Sequence, residues 1–151
     1  MLHFLVLFCV LVFPFVLPAS AGSSQTEIRC ASKDGKISLV GTVPPDDELS
    51  IDLQLRNGQR RFHLVSENEN LTRIMRVVEN WSAGVYVLIV DATPAGGAYL
   101  TLYALPKTVR LKRIRDGVET TWDGILRLGG DLITPEYIPD ISVRCSTRYA
   151  I

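Results

Sequence analysis

The chain has 151 residues, 16 Lys+Arg against 16 Asp+Glu, and 47% apolar residues. That length fits one ordinary domain and leaves no room for two independent cores. The balanced charge gives no global attraction to nucleic acid or an anionic membrane, and the apolar content excludes a disordered chain.

Residues 4–13 form an unbroken apolar run, followed by Pro14, Pro18 and the small-residue stretch Ala19-Ser20-Ala21. This reads as a secretory signal peptide over residues 1–21, with cleavage before Gly22. The run is too short and too interrupted by proline for a transmembrane helix of about 20 apolar residues. Because only His3 and the terminal amine supply positive charge before the run, an uncleaved anchor is the alternative. Cys9 lies inside the run and is assigned no role. Residues 22–151 are then a single secreted or periplasmic domain with no further apolar span.

That mature part has two cysteines, Cys30 and Cys145. In an oxidising compartment such a pair is expected to be a disulfide. The alternation from Ile141 to Tyr149 turns Cys145 inward on a strand. Closing a loop of roughly a hundred residues would stabilise the fold by about 4–5 kcal/mol.

Turn signals recur along the mature chain, at Asp34-Gly35, Asn57-Gly58, Gly96-Gly97, Asp116-Gly117, Asp123-Gly124 and Gly129-Gly130. Asn-Gly and Asp-Gly between alternating segments mark hairpins. A two-residue loop at Asp34-Gly35 sets Cys30 opposite Leu39. At Asn57-Gly58 it sets Leu53 opposite Phe62 and Asp52 opposite His63, and at Asp116-Gly117 it sets Leu111 opposite Trp122 as an inward pair. Residues 85–90 are continuously apolar, as in a central strand covered on both faces, and residues 98–104 pair with them. Residues 66–81 are ambiguous. Ser66 and Glu69 form a capping-box pattern and Leu71, Ile74, Met75 and Val78 recur at helical spacing, which favours a short helix over a strand. The fold class is mainly β: an antiparallel barrel or sandwich of about eight strands, with at most that one helix.

Chemistry is sparse. There is no P-loop, dinucleotide fingerprint, zinc-protease motif or nucleophile elbow, so no catalytic residue, metal or cofactor is implied. His63 is the single mature histidine, and its place opposite Asp52 makes it a surface pair. Asp46, Asp47, Glu48, Glu67 and Glu69 cluster in loops without the facing geometry a hydrolase needs. Lys107, Arg110, Lys112, Arg113 and Arg115 put five cations in nine residues. Arg110, Lys112 and Arg113 are therefore candidate contacts for an anionic envelope component or an acidic protein. The alternative is an edge strand whose charges block aggregation. Export and the lack of interleaved aromatics disfavour nucleic acid. Asn70-Leu-Thr72 and Asn80-Trp-Ser82 fit the N-glycosylation pattern.

The segment Ser82-Ala83-Gly84-Val85-Tyr86 resembles the Ser-Gly-x-x-Tyr loop of bacterial periplasmic lysozyme inhibitors, with Ala83 where that motif has glycine. The resemblance implies a small exported antiparallel β protein in which Ser82 and Tyr86 contact the catalytic carboxylates of a lysozyme. The sequence expectation is thus an exported, non-enzymatic β-rich binding domain. A lysozyme-inhibitor-like protein and a small hydrolase are the alternatives.

Overall fold

The structure, a computed structural model, describes residues 25–43, 51–65, 73–92, 98–132 and 140–150. Ten antiparallel strands form one sheet: β1 Thr26–Ser32, β2 Ile37–Val43, β3 Asp52–Asn57, β4 Arg60–Val65, β5 Arg73–Asn80, β6 Val85–Ala92, β7 Ala98–Ala104, β8 Arg110–Ile114, β9 Gly117–Gly129 and β10 Ile141–Ala150. The order is β4-β3-β2-β1-β10-β9-β7-β6-β5, with β8 continuing the lane of β7 along β9. The sheet curls into a half-barrel, so its inner face is concave and its outer face convex.

The mainly β expectation holds, and its barrel form is this half-barrel. The helix favoured over 66–81 does not form in the part described: residues 73–80 are strand β5. A bulge between Ile74 and Arg76 shifts the pairing of β5 with β6. One inserted residue breaks the period-2 alternation, and the apolar positions then imitate helical spacing. Residues 66–72 and the loop acids Asp46, Asp47, Glu48, Glu67 and Glu69 lie outside the described residues, as does Asn70.

Period-2 alternation builds the core from one face. One inward row runs across six strands through Phe62, Leu55, Leu39, Cys30, Cys145 and Trp122. A second runs through Ile141, Leu126, Leu102 and Leu88 to Val77. Curling brings these rows together, and most of their residues are fully buried. Cys30 and Cys145 are direct register partners and form a disulfide, joining β1 to β10 at the middle of the sheet. On the outer face of β6, Val85, Val87 and Ile89 are only half-buried, so the expected cover on both faces is corrected: the strand is covered fully on its inner face alone.

Of the three hairpin registers, the one at Asp34-Gly35 is observed as expected, with Cys30 opposite Leu39. The other two turns sit one residue from the expected place, which slides each register by two. Asn57 pairs with Arg60 across a Gly58-Gln59 loop in which Gly58 takes φ +61°. Asn57 is thereby freed from the turn, and its Nδ2 donates to the carbonyl of Leu132 at 3.1 Å, tying this hairpin to the 3₁₀ turn after β9. Similarly, Ile114 pairs with Gly117 and Leu111 meets Thr120, not Trp122. A slip of two preserves which face each side chain occupies, so the inward set survives. Leu111 is nevertheless 58% exposed, because β8 lies beyond the curled part of the core.

The lane shared by β7 and β8 is interrupted. Pairing with β9 stops at Ala104–Gly124 and resumes at Arg110–Thr121, so residues 105–109 stand opposite Trp122 and Asp123 alone. The surplus is taken up by a single 3₁₀ turn, Pro106–Thr108. A backbone gap there would strand the N–H of Asp123. The hydroxyl of Thr108 fills it, accepting from Asp123 N at 2.9 Å and donating to the carbonyl of Leu105 at 2.7 Å. The bulge is therefore held by hydrogen bonds on its inner side, while Lys107 at its crest is exposed.

Candidate functional site

Two open depressions meet at this bulge on the convex face. One, of about 760 Å³, is lined by Ala31, Lys33, Leu105, Asp123, Ser142 and Arg144 among others. Its neighbour, of about 520 Å³, is lined by Lys107, Thr108, Arg110, Thr121, Trp122, Asp123 and Arg144. They share Asp123 and Arg144 and so form one groove. Its lining carries four cations, Lys33, Lys107, Arg110 and Arg144, and a single carboxylate, Asp123.

Each cation is placed by the register. Arg144 faces outward on β10 opposite Asp123 on β9, and its Nε donates to Asp123 Oδ1 at 3.0 Å. That hydrogen bond, then the carboxylate charge, raises the guanidinium pKa above its ordinary value. Arg110 follows the bulge, and its Nη1 donates to the carbonyls of Val109 at 2.8 Å and Lys107 at 3.2 Å. These contacts fix the guanidinium against the bulge backbone. Lys33 projects from the β1–β2 turn, and Leu105, 38% exposed, gives the groove an apolar wall.

The turn Trp81–Gly84 is pressed onto the same bulge: a Cβ at Gly84 (φ +68°) would lie 2.9 Å from the carbonyl oxygen of Pro106. Ser82 is exposed in that turn and lines neither depression. Asn80, of the acceptor triplet, turns its Oδ1 back to accept from Ala83 N at 3.1 Å. Tyr86 goes elsewhere. It is fully buried on the inner face, stacked on Trp81 at 5.3 Å and tilted against Trp122 at 5.1 Å. The expectation that Ser82 and Tyr86 form one contact surface is corrected on this point, because strand alternation points Tyr86 into the core.

Burial has a chemical cost here. The hydroxyl of Tyr86 has no hydrogen-bond partner among the described residues, and burial, then the charge of Glu79, pushes its pKa well above 10.0. The folded chain thus holds this proton more tightly than the unfolded chain. The associated stability is complete below about pH 10 and is lost as pH rises further. Tyr86→Phe is expected to raise stability by about 1 kcal/mol near neutrality by removing a desolvated hydroxyl, and to abolish this alkaline loss. Urea denaturation of both proteins near neutrality and above about pH 10 checks it. A Phe variant less stable than the parent at neutral pH would reveal a partner for the hydroxyl.

The structure divides the cation cluster 107–115. Arg110 joins the groove. Lys112 lies on the same face but opposite Glu119, in a row that also holds Glu27 and Asp52. Arg113, opposite Val118, falls on the other face of β8. Lys33 and Arg144 were not legible as site residues, since only the pairing of β1, β10 and β9 brings them beside Lys107.

His63 lies away from the groove. Its Nε2 is 2.8 Å from Asp52 Oδ1, diagonally across β3 and β4, and both side chains are more than half exposed. Among the described residues no group of His, Cys, Asp or Glu is arranged to hold a metal ion, and no helix is long and apolar enough to cross a membrane. No family model, curated protein or solved structure matches the chain.

Proposed function

We propose that the chain is an exported, non-enzymatic binding domain that takes an anionic partner in the groove around the Pro106–Thr108 bulge. What carries this is the lining, four cations against one carboxylate in a chain whose formal net charge is zero. Asp123 engages Arg144 alone, so the groove keeps an excess of positive charge. Charge gathered in a concave site attracts an anion more strongly than the same charge scattered over the surface. The groove is open, and three of its cations sit on a hydrogen-bonded bulge and on strands, with Lys33 in a tight turn, which limits the ordering cost of binding. The apolar leader and the Cys30–Cys145 disulfide support the exported address.

Sucrose octasulfate, a compact polyanion, is a suitable probe by titration calorimetry. Binding is expected to weaken steeply with added salt, and the double variant Lys33→Ala, Lys107→Ala to weaken it about tenfold, a change of about 1.4 kcal/mol. Unchanged affinity and salt dependence in that variant would remove the groove from consideration.

A further inference from the structure

The groove is one end of a longer feature. Two adjacent outward rows cross the convex face. The first runs Arg61, Arg56, Ser38, Ala31, Arg144 and Asp123 over strands β4-β3-β2-β1-β10-β9. The second runs His63, Gln54, Val40, Arg29, Ser146, Thr121 and Arg110, ending on β8. Together they carry five arginines and one carboxylate, and that carboxylate is engaged by Arg144. The next row along is mixed, with Asp52, Glu27 and Glu119 beside Arg148 and Lys112, so the excess of positive charge is confined to these two rows. A further depression of about 410 Å³ lies on the same two rows at the far side, lined by Ser38, Gln54, Arg56, Arg61, Phe62 and His63 among others.

We propose that this belt binds an extended acidic polysaccharide, one sulfated or carboxylated chain lying across the strands from Arg61 to Lys107. This rests on the groove being an anion site and assigns its ligand class. Six strand spacings of ~4.8 Å, from β4 to β8, make the belt about 29 Å long, beyond the reach of a single sugar ring or phosphate. It also runs around a convex surface. A flat bilayer touching a curved face meets only a narrow strip, whereas a jointed chain follows the curve and reaches both depressions. A single-stranded nucleic acid would stack on exposed aromatic platforms. The two rows contain no Phe, Tyr or Trp, and the aromatics that border the depressions, Phe62 and Trp122, are inward side chains packed in or against the core.

The test is a ladder of size-defined sulfated dextran oligomers titrated into the full chain and into a double variant, Arg29→Ala, Arg61→Ala, with thermal melting to confirm that the variant is folded. Affinity is expected to climb with oligomer length until the belt is spanned and then level off, with a steeper salt dependence for long oligomers than for short ones. The variant should lose about tenfold in affinity for long oligomers while binding the shortest unchanged. Affinity independent of length, or a variant equal to the parent on long oligomers, would overturn the belt and leave the groove standing. Failure of every oligomer to bind would overturn both. Tighter binding to single-stranded DNA of equal charge, or to vesicles of anionic phospholipid, would overturn the polysaccharide assignment.

Discussion

Replacing both Cys30 and Cys145 by alanine is expected to lower stability by about 4–5 kcal/mol, the chain-entropy value for a loop of this length. The two positions are 115 residues apart and are register partners on adjacent strands, so the bond restricts the unfolded chain while the folded pairing already holds the strands side by side. Natural domains are stable by about 5–15 kcal/mol, so the loss removes about a quarter of the total or more. The denaturation midpoint in urea should fall sharply while the folded variant keeps its β-type circular dichroism. A loss below about 1 kcal/mol would mean that the unfolded chain is already held together by other contacts, and the entropic account of the bond would fail.

Trp122→Ala is expected to cost about 3–5 kcal/mol. The indole is almost fully buried, lies against Tyr86 and Trp81, and covers Gly124, where a Cβ would come within 2.5 Å of the ring. Removing it opens a void at the place where the disulfide row meets the aromatic cluster. Trp122→Phe should cost markedly less. The indole N–H has no partner among the described residues, so phenylalanine forfeits volume and no hydrogen bond. Urea denaturation of the two variants separates volume from polarity. Equal losses would show that the N–H is engaged after all.

Much of the architecture was legible because strands and turns announce themselves locally. The inward alternation around Cys30 and Cys145 and the hairpin at Asp34-Gly35 were readable from neighbouring letters alone. The other two turns slid because their labels were ambiguous. Asn57 looks like a turn residue but is used as a tether to Leu132, leaving Gly58 to supply the positive φ. Strand β5 was hidden by its bulge, which put apolar residues at helical intervals. The groove was half visible. Lys107 and Arg110 stand in an obvious run of cations, but strand alternation within that run sends Arg113 to the opposite face. The belt was invisible in the sequence, for Arg56 and Arg61 meet across one hairpin whose register was misplaced, and Arg29 and Arg144 come together only through the pairing of β1 with β10, far apart in the chain. Such a site is written in register, and register emerges only once the sheet exists.

The position of β10 has one further consequence. The last in chain order of the ten strands described is not at the rim: it is inserted between β1 and β9, near the centre of the sheet. Strands β1 to β4 and β5 to β9 can each assemble early as consecutive neighbours, but the inner margin of each group, β1 or β9, then waits unpaired. β10 acts as a keystone that seals both margins at once and brings Cys145 to Cys30 in the same event. Oxidation of this pair thus reports that β10 has taken its place between β1 and β9, and a chain cut short before residue 141 would leave both of those margins exposed.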